Sequence, residues 1–253
     1  MNTGSELARS CALRLADENA ELLLVDPERA VAQQVAGEVT ARGGRAEPMQ
    51  AAPADEEAIG RVAGRCEQIW GRLDVLVVTA GELDWWPEEN DSVAMWERSL
   101  RVNLLTPVFF TKLLLPLLAR SGSASVVYYG SVDGLLGNPR VPAYSAGRGG
   151  LVPYTHLMAG IGGAQNIRVN YIAGAGISPE GPEAPRRQRT TLPAEMADLL
   201  SATPLGRAAE GSDVAGLVAF LASPDAAYIT GAVVVMDGGR CSMTPGTAIR
   251  VPR

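Results

Sequence analysis

Ser131, Tyr144 and Arg148 have the types and spacing of a proton-transfer site. Tyr144 and Arg148 are four residues apart, one turn along one face of a helix that starts near Pro142. A phenol has a pKa of about 10 and is a poor base at neutral pH. A cation roughly 4 Å away, at an effective dielectric of about 20, favours the phenolate by about 4 kcal/mol, or about three pKa units. A hydroxyl that donates and accepts, such as Ser131, would hold a substrate oxygen beside the phenol. The chemistry is proton transfer at the oxygen of an alcohol, ketone or epoxide.

These side chains need a frame, and the chain supplies alternating elements. The apolar run Ser125–Tyr129, just ahead of Ser131, reads as a buried strand. Before it come a helix from about Ser5, a strand near Leu22, a helix over 30–41 and a short strand near Ala46. A helix from Asp55 to Trp70 and a strand at Val75 follow, then a long helix from about Ser99 to Ala119, kinked at Pro107 and Pro116. A helix after Ala143 and a strand at Val169 complete the central set. The alternation predicts an α/β fold, a doubly wound Rossmann-type parallel sheet in a single domain spanning 1–253. Its ligand crevice would lie at the carboxyl ends of the strands, with Gly81, Ser131 and Gly174 on the rim.

Five segments carry a wider likeness: LDVLVVTAG from Leu73 to Gly81, Arg101-Val-Asn103-Leu, Ser131 with Tyr144 and position 148, Ile167-Arg-Val-Asn170, and Tyr228-Ile-Thr-Gly231 through Asp237-Gly-Gly239. Together they resemble the short-chain dehydrogenase/reductase superfamily over nearly the whole chain. The resemblance implies that Asn103, Ser131 and Tyr144 are catalytic, with Arg148 standing where the superfamily has Lys. It also implies that Thr79-Ala80-Gly81 stands for an Asn-Ala-Gly turn beside the cofactor.

The departures from that pattern are at the dinucleotide. Counting back from Ala12 puts the three motif glycines of the phosphate-binding turn at Asn2, Glu6 and Ala8 and leaves the first strand missing or degenerate. The acidic residue that holds the adenine falls at Ala52, and the Pro-Gly that backs the nicotinamide becomes Gly174-Ala175. Arg148 keeps the charge of Lys but is bulkier and cannot relay a proton. Asp26 survives at a strand end, where it would either accept from a ribose 2′-hydroxyl and favour NAD or cap the following helix. The expectation is therefore no tightly bound cofactor; were NAD(H) to bind, Asp26, Ala80 and Gly81 would hold it. The Ser-Tyr-Arg set is similar to that of the halohydrin dehalogenases, dehydrogenase-like enzymes without a cofactor. Their N-terminal aromatic and Gly would fall at Glu6 and Ala8, so the likeness extends to mechanism type rather than substrate.

Trp85 and Trp86 follow the fourth strand in an acidic loop and would serve as a lid over an apolar substrate or as interface packing. With Gly174 and Ala175 they make the expected substrate pocket. A net charge of −6 argues against nucleic acid as a partner, and Arg186, Arg187 and Arg189 read as a solvated cluster in a Pro-rich loop. Cys11, Cys66, Cys241 and the single His156 have no metal-ligand or disulfide spacing, so no metal is expected and the compartment reads as cytoplasmic. No leader and no membrane-length apolar run is apparent. The glycines of the Tyr144 helix, costly within a helix, predict close helix contacts, and the resemblance implies a homodimer or homotetramer through that helix.

The leading functional reading is a cofactor-independent enzyme doing acid–base chemistry on a small molecule, such as epoxide interconversion or dehydration. The second is an NAD-dependent alcohol/ketone oxidoreductase with an Arg-variant site. The third is a non-catalytic scaffold.

Overall fold

The computed structural model describes residues 5–83, 92–177 and 203–242. Helix α1 (Glu6–Asp17) is capped by Ser5, whose hydroxyl accepts from the Ala8 N–H. Strand β1 (Glu21–Asp26), helix α2 (Arg29–Ala41) and strand β2 (Arg45–Gln50) follow, and β1 pairs with β2 in parallel from Glu21↔Arg45 to Asp26↔Gln50. Helix α3 (Glu56–Trp70) leads to β3 (Val75–Val78), and α4 (Val93–Leu100) runs through a π turn at Arg101–Leu105 into α5 (Thr106–Ser121). Then come β4 (Ala124–Ser131), α6 (Asp133–Leu136), α7 (Pro142–Gly163), β5 (Ile167–Gly174), α8 (Gly211–Ala222) and β6 (Val233–Met236).

Strands β3, β4, β5 and β6 form a parallel sheet in that order. All eight residues of β4 are buried, as its unbroken apolar run requires of a strand covered on both faces. One face packs on α3, α5 and α7 through Ile59, Val62, Phe110, Leu114 and Leu151. The other packs on α1 and α8 through Leu7, Cys11, Val214, Val218 and Leu221. The doubly wound α/β architecture is thus the observed one.

Between β1 and β3 no ladder forms. A cavity of about 760 Å³ lies there, lined by Leu22–Leu24 of β1, Leu76–Val78 of β3, Cys11 of α1 and Cys66 of α3. Among the described residues no strand lies between β1 and β3, and the strands form two ladders, β1-β2 and β3-β4-β5-β6.

Two helices differ from expectation. The long helix starts at Val93 rather than near Ser99, and the joined helix Val93–Ser121 is long and apolar enough, by length and composition, to cross a membrane. Lys112 breaks the run, which hides it in the sequence; here its Phe110, Leu114, Leu117 and Leu118 are buried in the core. Helix α8 was not anticipated, although its signal is present. Glu210 and Asp213 form a capping box ahead of an apolar run.

The glycines of α7 make close contacts within the chain. A Cβ at Gly147 would lie 2.9 Å from the Asn103 Cβ, and one at Gly149 would lie 3.0 Å from the Gly134 carbonyl oxygen. Gly160, in the same helix, would meet nothing within 4 Å. Gly160→Ala is therefore expected to stabilise by up to about 1 kcal/mol through helix propensity. Gly147→Ala is expected to destabilise by about 1–3 kcal/mol through overpacking against Asn103. Thermal melts of the two variants should shift in opposite directions; shifts of the same sign would show that packing is not what keeps Gly147.

Candidate active site

Ser131 ends β4, and Tyr144 and Arg148 sit in the first two turns of α7, whose start is set by Pro142 at its first position. The Arg148 side chain lies over the Tyr144 ring, its guanidinium carbon 5.3 Å from the ring centre. The helical spacing has brought charge and phenol together as expected, with the charge on the ring face. The Tyr144 hydroxyl has no hydrogen-bond partner among the described residues, and the residue is only half-buried. Ser131 is buried, and its Oγ accepts from the Asp133 N–H at 3.0 Å, which leaves its own hydrogen free to donate.

Arg148 is 2% exposed, and its Nη2 donates to the Ala80 carbonyl at 2.7 Å. Its Nε and Nη1 are buried without partners. The close seat explains two glycines. A Cβ at Gly81 would overlap Nη2, and one at Gly134 would lie 2.7 Å from the Arg148 carbonyl carbon. Ala80 and Gly81 thus meet Arg148, and Ser131 is joined to it through a third residue, Tyr171. The Tyr171 hydroxyl accepts from the Ser131 N–H at 2.9 Å and lies 3.2 Å from the Arg148 carbonyl oxygen.

Asn103 lies in the π turn, where Pro107 has no N–H to give to the carbonyl of residue 103. Its amide is fully engaged. Oδ1 accepts from the Glu82 N–H at 3.1 Å, and Nδ2 donates to the Glu82 carbonyl at 2.9 Å and to Ser99 Oγ at 3.1 Å. The side chain anchors the backbone just after Gly81.

Asp26 ends β1, apart from this group, and its Oδ1 accepts from the Glu28 N–H at 2.9 Å, a turn cap ahead of α2. Glu6, in the first turn of α1, accepts from Ser10 Oγ at 2.8 Å and pairs with Arg9 at 3.4 Å, so its charge is partly met within the helix. Ala8 is buried. Gly174 pairs in register with Ser131, and the space a side chain would take there is filled by the Tyr129 ring. Ala175 is half-buried and lines a cavity of about 650 Å³ with Thr203, Arg207 and Asp237. Trp85, Trp86 and the loop carrying Arg186, Arg187 and Arg189 lie outside the described residues. Burial pushes the Cys11 thiol up to about 12 and the Cys66 thiol up to about 11, far from a reactive thiolate.

Sequence reasoning missed Tyr171, which joins Ser131 to Arg148, and Tyr129, whose ring fills the space at Gly174. Burial raises the pKa of both hydroxyls, so each stays a neutral phenol. The signal was available as a pattern, Tyr-Tyr-Gly-Ser on one strand and Asn-Tyr-Ile-Ala-Gly on the next, with each tyrosine facing a glycine across the pair.

The sequence matches the family described as enoyl-(acyl carrier protein) reductase over residues 3–240. It is 30% identical over 240 residues to the 3-oxoacyl-[acyl-carrier-protein] reductase of Thermotoga maritima, covering 93% of each chain. It is 30% identical over 230 residues to 2-(S)-hydroxypropyl-CoM dehydrogenase 3 of Xanthobacter autotrophicus, covering 91% of this chain and 89% of that one. A crystal structure of a short-chain type dehydrogenase/reductase from Mycobacterium marinum superposes with a TM-score of 0.85, covering 94% of this chain and 92% of that one; at 21% identity it shows the fold alone.

These relatives overturn the leading expectation. They are named as dehydrogenases and reductases, and no amino-acid side chain carries a hydride, so such chemistry requires a carrier. The reading as a cofactor-independent acid–base enzyme, and with it the expectation of no cofactor, is overturned in favour of the oxidoreductase reading. The cofactor-independent reading weighed the departures at Glu6, Ala8, Ala52, Gly174-Ala175 and Arg148 above the matching segments around Ser131 and Tyr144. Matched from residue 3 to residue 240, the chain belongs to the short-chain dehydrogenase/reductase superfamily.

Proposed function

We propose that this chain is an NAD(H)-dependent oxidoreductase acting on a small alcohol or ketone. The observation that carries the reading is the Arg148 guanidinium, which lies over the Tyr144 ring and leaves Nε and Nη1 buried without partners. Two orphaned donors beside Ala80 and Gly81 fit the hydroxyls of a ribose. At the other end, Asp26 at the end of β1 is an acidic residue of the kind that accepts from an adenosine ribose. Arg148, Ala80, Gly81 and Asp26 would hold the dinucleotide, which when bound accepts or delivers the hydride.

The remaining chemistry belongs to the chain. Ser131 donates its free hydroxyl hydrogen to the substrate oxygen, because its own oxygen is occupied by the Asp133 N–H. Tyr144 takes the proton from the alcohol, or returns it to the ketone, at that same oxygen. Asn103 keeps the backbone at Glu82 in place beside them. The likeness to halohydrin dehalogenases is confined, in this reading, to the three side-chain types.

We also propose a homo-oligomer, supported by the exposed Leu157 and Ile161 on α7 and Val93 on α4. Light scattering at micromolar concentration should give a dimer or tetramer, and Leu157→Glu should lower it; a monodisperse monomer refutes the assembly.

Cofactor binding is tested by melting. NADH at 100 times its dissociation constant should stabilise by about 2.7 kcal/mol. NADPH should do less, because its 2′-phosphate would face Asp26. No shift with either at millimolar concentration would overturn the oxidoreductase.

Substitution tests the chemistry. Tyr144→Phe should cut turnover by about 100- to 10,000-fold with the melting temperature nearly unchanged. Arg148→Lys removes the partnerless fork and places the cation the superfamily carries, so NAD-linked turnover should rise. A fall would mean that the fork itself is required.

A further inference from the structure

We propose that Tyr171 is a positioning residue, whose buried hydroxyl sets the distance between Ser131 at the end of β4 and the turn of α7 that carries Tyr144 and Arg148. The role rests on the oxidoreductase reading for its effect on turnover but not for its geometry.

Tyr171 is fully buried on β5, paired with Tyr128 of β4. Its ring runs toward the carboxyl end of β4 and crosses Gly130, where any Cβ would overlap the ring and hydroxyl. Gly130 is thus what admits the side chain. The hydroxyl accepts from the Ser131 N–H at 2.9 Å and lies 3.3 Å from the Ser131 carbonyl oxygen and 3.2 Å from that of Arg148. A phenol has one proton, which these two carbonyls share. One oxygen atom therefore ties a strand end to a helix turn.

Each tied segment lacks one of its ordinary backbone bonds. The Val132 N–H goes to the Gly174 carbonyl of β5, so by strand alternation the Ser131 N–H points toward β3. The pairing of β3 with β4 ends at Val78↔Tyr128, three residues short of Ser131. Without Tyr171 that N–H would be a buried donor with no ladder partner. On α7, Pro153 has no N–H to offer the Gly149 carbonyl, so the turn next to Arg148 lacks one of its own helix bonds. Burial keeps the Tyr171 hydroxyl protonated, as a donor must be.

Tyr128 provides a matched control. It is the register partner of Tyr171, equally buried, and its hydroxyl bonds Thr111 Oγ1 at 2.6 Å instead of the site. Tyr171→Phe and Tyr128→Phe each delete one buried hydroxyl from the same sheet and keep the ring. Tyr171→Phe is expected to lower kcat by about 10- to 100-fold, with the melting shift on NADH retained. Tyr128→Phe should lower the melting temperature similarly and leave kcat within about twofold of the parent. Hydrogen exchange gives the readout that needs no turnover. The Ser131 amide should exchange at least about tenfold faster in Tyr171→Phe than in Tyr128→Phe, since the loss of one buried bond exposes it to local opening. Equal kcat losses in both variants, or a Ser131 amide indifferent to Tyr171→Phe, would overturn the proposal. Faster Ser131 exchange in Tyr171→Phe, together with a parent protein that has no NAD-linked turnover, would uphold the clamp and reject the oxidoreductase reading instead.

Discussion

A guanidinium taken out of water costs several kcal/mol unless its surroundings answer for the charge, and Arg148 is 2% exposed. Much of the local structure follows from seating it. The Ala80 carbonyl takes one N–H, the Tyr144 ring takes the face, and Gly81 and Gly134 stand where any Cβ would collide with the residue. Gly147 then lets the same helix close on Asn103, whose amide holds the backbone at Glu82, beside the strand end that carries Ala80. Arg148 thus joins three elements, meeting the end of β3 through its guanidinium and α6 through the backbone of α7. Its Nε and Nη1 are left buried without partners among the described residues.

The packing that supports this point is lopsided. The sheet β3-β4-β5-β6 is covered on both faces, with Tyr128, Tyr171, Leu118 and Ile172 fully buried. The pair β1-β2 is attached across a cavity of about 760 Å³ rather than by a ladder. Site residues divide along the same line. Ser131, Tyr144, Arg148, Asn103, Ala80 and Gly81 belong to the large sheet and its helices, whereas Asp26 belongs to the small one. The two halves of a dinucleotide would therefore be held by parts of the protein that are joined mainly through α1 and α3.

The correction of function has a physical lesson. Glu6 and Ala8 at the start of α1 look hostile to a pyrophosphate when each position is weighed alone. In the folded chain Glu6 is engaged by Ser10 and Arg9, and Arg9 in turn bonds Glu38 at 2.7 Å. A carboxylate held this way presents less charge to a neighbour than the bare residue type implies.

Sequence alone determined the parallel α/β class and most of the element order, and it placed Tyr144 and Arg148 side by side. Those rest on local rules: an unbroken apolar run makes a buried strand at Ser125–Tyr129, and a four-residue spacing puts Tyr144 and Arg148 on one helix face. What only the tertiary structure decided was who touches whom across elements. The Asn103 amide clamps Glu82, the Gly147 backbone meets Asn103, and Tyr171 crosses Gly130 to join Ser131 with Arg148. No periodicity encodes such contacts. They depend on the register of β4 against β5 and on how closely α7 approaches the sheet, quantities set by the summed packing of residues far apart in the chain.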